Sequence, residues 1–227
     1  MKTRISRFLW FVFGVVLNSF GIAFITKAAL GTSPISSLPY VLSFAFPLSL
    51  GAFSFILNMV YILAQILLLR RAFKPVQLFQ IVVNLVFSAG IDVSMSLLSW
   101  LQPAAMPGKL LSLLVGCAIL GLGISIEVAP NVLMVPGEGI VKALSTVTRK
   151  KFGTVKIAFD VTLITTAGIL SFVFFGRLQG LGIGTVVSAL IVGKFVNIYN
   201  RYLPLLKYIA GLAEEEPEEE RVPRVAG

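Results

Sequence analysis

The chain has 227 residues, of which 57% are hydrophobic and 13% charged, with no histidine, one cysteine and a formal net charge of +9. A soluble domain of this size has too little polar surface to cover so much apolar mass, and a mean hydropathy of +0.94 places the chain in a bilayer. A chain without histidine and with Cys117 alone excludes a conventional zinc site, a Ser-His-Asp triad and an internal disulfide. It therefore reads as neither an enzyme nor a metal- or cofactor-binding protein. The basic residues cluster at the ends of apolar runs, which makes them topology signals for a lipid bilayer and not a nucleic-acid surface.

Lys2, Arg4 and Arg7 precede the first apolar run, 8–26, and no small-residue cleavage site follows, so that run is an uncleaved first helix. A bilayer core of about 30 Å takes roughly 20 helical residues. Five more stretches meet that length: 52–69, 76–100, 110–126, 155–175 and 180–198. Two shorter segments, 34–46 and 136–148, each follow the first helix of a set of three and are too short to span. Both begin at a proline, Pro34 after Thr32 and Ser33, and Pro136 before Gly137, Glu138 and Gly139. Proline suits the first helical turn, where its missing N–H has no partner to lose. The end of the chain, 204–227, is basic and then acidic, with six glutamates around Pro217, and reads as a partly disordered tail. The expected fold is all-α: a polytopic bundle of six spanning helices with two re-entrant or interfacial half-helices.

A repeat organises these elements. Residues 14–51 recur without gaps 102 positions later as 116–153, matching Gly14 with Gly116, Gly21 with Gly123, Pro34 with Pro136 and Gly51 with Gly153. A fixed period marks duplicated architecture. It divides the chain into a first repeat, 1–104, a second, 105–203, and the tail. Counting basic residues, both termini and the loop with Arg70, Arg71 and Lys74 fall on the cytoplasmic side, as do Arg149, Lys150 and Lys151. Three crossings per repeat then invert the second copy relative to the first. The rival reading, in which the short segments span and the repeat is parallel, has to place Pro34, Pro39 and Pro47 within one span.

The run Lys27-Ala28-Ala29-Leu30-Gly31-Thr32-Ser33-Pro34 after a glycine-rich first helix resembles the YitT/YczE family of bacterial integral membrane proteins, over about residues 5–200. The resemblance implies a multi-pass protein of the bacterial inner membrane, and an acidic residue two positions after the proline. Glu138 fits this in the second copy, whereas Ser36 departs from it in the first. The resemblance implies no substrate.

Irregular backbone at membrane depth lines either protein or water, and a half-helix N-terminus there offers free N–H groups and partial positive charge. The candidate binding residues are accordingly Thr32, Ser33, Pro34 and Ser36 in one copy, and Asn131, Pro136, Gly137, Glu138 and Gly139 in the other. They would suit a small polar solute, anionic or zwitterionic. Asp92, Asp160, Glu138 and Asn58, the last matching Asp160 across the repeat, are candidates for ion or proton coupling. Each has a structural alternative: Glu138 as a cap, Asp160 paired with Lys156, Asp92 paired with Lys194. Glu127 and Lys27 are expected to snorkel to the interface. Gly180, Gly182, Gly184 and Gly193 read as helix-packing positions and not as a phosphate loop. The function expected is a small-solute transporter or channel, compatible with a homodimer. The alternative is a membrane regulator acting through its cytoplasmic loops and tail.

Overall fold

The structure, a computed structural model, describes residues 2–214. These form α1 (Lys2–Lys27), α2 (Pro34–Ala45), α3 (Leu50–Leu69), α4 (Gln80–Leu97), α5 (Met106–Val128), α6 (Pro136–Thr148), α7 (Phe152–Phe175), α8 (Ile183–Tyr202) and α9 (Pro204–Glu214). Short 3-10 turns at Arg70–Ala72 and Pro75–Phe79 lead into α4, and there is no strand among the described residues. Six helices, α1, α3, α4, α5, α7 and α8, are long and apolar enough to cross a membrane, so the chain is a multi-pass protein in contact with lipid. The half-helices have the expected bounds within one residue. Residues 204–214, expected to belong to the tail, instead form α9: Leu206 and Ile209 are buried against Ile126. Their spacing of three residues after Pro204 is a helical signal. The acidic run from Glu215 onward lies outside the described residues.

The most extensive contact is between α1 and α5. It is made through glycine, because lipid supplies no hydrophobic drive between helices and close backbone packing takes its place. A Cβ built on Gly21 would lie 2.6 Å from the Leu120 backbone, and one on Gly123 would lie 2.6 Å from the Asn18 nitrogen. Likewise Gly14 packs on Glu127 and Gly116 on Ile25. Higher numbers on α1 meet lower numbers on α5, so the two helices are antiparallel. The contacts also exchange under the 102-residue offset: Gly14 against Glu127 becomes Gly116 against Ile25, and Gly21 against Leu120 becomes Gly123 against Asn18. Phe11, Val15, Ile22, Leu113 and Cys117 fill the core around this seam.

α3 and α4 are joined by polar side chains. Gln65 and Gln80 exchange two amide hydrogen bonds, each 3.2 Å. Asn58 Nδ2 donates to Asn84 Oδ1 at 2.8 Å, and Asn84 in turn donates to the Phe55 carbonyl. Asp92 accepts from the Ser49 hydroxyl at 2.6 Å and from the Gly51 N–H at 2.8 Å, closing the start of α3. In the second copy the matching positions are Ala167, Gly182, Asp160, Val186, Lys151, Lys194 and Gly153, which cannot rebuild these pairs. α7 and α8 accordingly make no substantial contact with each other. α8 packs on α5 instead, and α7 on α2 and α6. This difference between the halves opens the space in which the candidate site lies.

Candidate functional site

The two half-helices begin side by side. Ser33 and Val135, the residues before the prolines, are both extended (ψ 153° and 151°), so each chain arrives straight and turns into helix at Pro34 or Pro136. Ile35 in the first turn of α2 lies against Gly137 in the first turn of α6, where any side chain on Gly137 would collide with it. Gln65 holds the second tip by donating to the Pro136 carbonyl at 3.3 Å. Ser33 donates to the Ser36 hydroxyl at 3.0 Å across the first turn of α2.

Both tips face one cavity of about 660 Å³. Its polar lining comprises Ser33, Ser36, Asn58, Glu138 and Asp160, together with Asn18, Ser54, Lys156, Ser188, Lys194 and Asn197; Pro34 and Gly137 complete the tips. Lys156 Nζ donates to Asp160 Oδ1 at 2.7 Å, one turn apart on α7. Glu138 lies within electrostatic range of both but forms no salt bridge or side-chain hydrogen bond with a described residue. By helical rise, Asp160 and Lys194 each lie roughly 12 Å from the same end of the bundle, on facing helices.

Glu127 overturns its expectation. Instead of snorkelling, it is 1% exposed, pressed against Gly14. Asn18, itself on the cavity wall, donates to its Oε2 at 2.9 Å. The second oxygen, Oε1, has no hydrogen-bond partner, and neither does the buried Tyr61 hydroxyl, which lies within electrostatic range of Asp160. Burying a carboxylate in an apolar helix is costly. Here it is accommodated by Asn18 and by the nearby Val135 backbone N–H at the start of α6.

The remaining expected residues sit elsewhere. Asp92 does not line the cavity but is engaged at the start of α3, and it does not pair with Lys194, because α4 packs on α1 and α3 while α8 packs on α5. Asn131 is exposed in a turn with φ 48°, its carbonyl accepting from Arg7 at 3.2 Å. Gly139 packs on Gln65 behind the tip. Thr32 belongs to a clasp between the α1–α2 loop and the start of α8. The Gly184 N–H donates to the Leu30 carbonyl at 2.8 Å, the Thr32 N–H to Thr185 Oγ1 at 3.2 Å, and the Ser188 hydroxyl to the Thr32 carbonyl at 3.3 Å. Gly182 and Gly184, expected to serve packing, do so here against Leu30.

Gly31 lets this clasp form, having φ +121° and standing where an added Cβ would collide with Thr185 Oγ1. Gly31→Ala is therefore expected to loosen it. In a Cys117→Ala background, a cysteine at Ser36 would then react several-fold faster with a water-soluble maleimide, and an unchanged rate would show that the clasp does not guard the cavity.

Asn18, Ser54, Lys156, Ser188, Lys194 and Asn197 are polar lining residues that were not among the expected site residues. The signal for Asn18 was available: it stands between Gly14 and Gly21 on the same helical face, at i+4 and i−3. The DUF6198 family, described as a family of unknown function, matches residues 5–201. The uncharacterized protein YyaS of Bacillus subtilis (strain 168) is 22% identical over 195 residues, which cover 85% of this chain and 92% of that protein. No solved structure matches the chain.

Proposed function

The chain belongs to the DUF6198 family of unknown function, so its activity has to be read from its own site, and we propose that it is a small-solute transporter built from two inverted repeats, with the solute held between the half-helix tips. One observation carries this reading: Pro34 and Pro136, 102 residues apart, bring their first turns to the wall of a single cavity of about 660 Å³. Two short helices lying along opposite membrane surfaces would not meet in this way. The exchange of α1–α5 contacts under the offset, between antiparallel helices, supports an inverted pair, since it is the pattern of a two-fold axis perpendicular to both helices. The resemblance of Lys27 to Pro34 to the YitT/YczE proteins fits this topology, with both termini cytoplasmic.

On this reading the clasp at Leu30 to Thr32 closes the outer side, and the cavity opens toward the end where α7 begins and α8 ends. The protein binds and releases without covalent chemistry. Asp92 drops out as a coupling residue because its oxygens cap α3. Glu138, Asp160 and buried Glu127 remain, and Asn58 takes the place opposite Asp160. Helix N-termini by themselves favour an anionic solute, but Glu138 in the first turn of α6 and Glu127 beside its start already offset its dipole.

The test is accessibility of single cysteines at Ser36 and Glu138 in a Cys117→Ala background. Both should be labelled to similar depth, Ser36 from outside when the clasp is opened and Glu138 from the cytoplasm. Labelling of both from one surface alone, in every state, would overturn the inverted arrangement. In a transport assay, Glu138→Gln is expected to lower uptake at least ten-fold while leaving the amount of folded protein unchanged.

A further inference from the structure

We propose that the solute is a lipophilic cation: an ammonium or phosphonium-like charge bound at Glu138, with its apolar body in the gap between α7 and α8, through which it enters from the bilayer. This rests on the transporter reading above and names its substrate class.

Two independent features meet in this cavity. The first is charge. Asp160 is paired with Lys156, whose charge also reaches Glu138, but neither Glu138 nor Glu127 forms a salt bridge among the described residues, and Glu127 Oε1 lacks even a hydrogen bond. Three carboxylates, Glu138, Asp160 and the buried Glu127 behind Asn18, thus stand against two lysines, Lys156 and Lys194, so the wall keeps one negative charge, which a bound cation at Glu138 neutralises.

The second feature is the opening. α7 and α8 are membrane-crossing helices without substantial mutual contact, and both line the cavity. At its edge stand Ile157 and Leu190, 67% and 66% exposed, with Gly153 and Gly193, where an added Cβ would meet nothing within 4 Å. Since both helices lie at bilayer depth, this gap faces acyl chains. A fully hydrated solute gains nothing from such a side opening, whereas a molecule that partitions into lipid is concentrated there. A second copy of the chain over the gap would lay an apolar face across Glu138 and leave its charge unmet.

Binding of three probes to the purified protein in phosphatidylcholine nanodiscs separates these cases: tetraphenylphosphonium, methylammonium and octyl sulfate. Tetraphenylphosphonium should bind at least ten-fold more tightly than methylammonium, with octyl sulfate failing to compete. Glu138→Gln should weaken its binding at least ten-fold. Gly193→Trp, or independently Ile157→Trp, should obstruct the gap and weaken it to a similar degree, with no change in monodispersity on size exclusion.

Glu138-dependent binding of methylammonium alone would overturn the lipophilic-cation inference and leave the tip site standing. Tighter binding of octyl sulfate would overturn the charge assignment. Insensitivity to both tryptophans, with Gly153→Cys cross-linking between two copies, would make the gap a dimer interface and overturn the entry route. Binding indifferent to Glu138→Gln would remove the tip site itself, and the transporter reading with it.

Discussion

Gly123→Leu is expected to abolish recovery of folded protein, and Gly21→Leu to do the same. At each position the first side-chain atom would stand 2.6 Å from the backbone of the facing helix, Asn18 for Gly123 and Leu120 for Gly21. No rotamer relieves this, because the clash is with Cβ itself and the obstacle is main chain. The helices have to separate, which removes the packing of Phe11, Val15, Ile22, Leu113 and Cys117 on one another and breaks the Asn18 bond to Glu127. Overpacking a tight core costs about 1–3 kcal/mol or more, and exposing an unpartnered carboxylate to lipid adds several kcal/mol. The measurement is the monodisperse fraction and thermal midpoint after extraction in mild detergent. Gly193→Leu, facing open space, should retain the wild-type midpoint. Matching losses at Gly21 and Gly123 would also bear on the repeat, because the offset exchanges their contacts.

Hydropathy and proline were sufficient to find the spans and the two half-helices, since length and the loss of a backbone donor act locally. Glu138, Asp160 and Asn58 could be chosen because the offset placed them in equivalent turns, and all three line the cavity. Asp92 and Glu127 could not be assigned in the same way. Their depth along a helix is readable, but the direction each faces is not when every side of the helix is apolar and no amphipathic phase exists. Hence Asp92 proved to cap α3 and Glu127 to be buried against Gly14. The gap between α7 and α8 was legible only by carrying the offset through each polar pair of α3 and α4. Asn84 becomes Val186, Gln65 becomes Ala167 and Gln80 becomes Gly182, so the second hairpin lacks the side chains that close the first.

That substitution of function between equivalent positions is sharpest at Asp92 and Lys194, and it gives the second large effect. Asp92→Ala is expected to destabilise the protein by about 3 kcal/mol, because it removes two charge-assisted hydrogen bonds and leaves the part-buried Gly51 N–H without its acceptor. Asp92→Asn, keeping one acceptor oxygen, should lose about half of that. Lys194→Ala should stay within about 0.5 kcal/mol, since the lysine lines an open cavity and satisfies no buried group. Thermal unfolding of the three variants in one detergent makes the comparison. Equal effects at the two positions would mean that α3 and α4 are held together by apolar packing alone, and the open second hairpin would then need another cause. Unequal effects in the stated order assign the closed hairpin to its polar pairs. The α3–α4 hairpin is then a fixed wall, and α7 and α8, without such pairs, form the open side of the cavity.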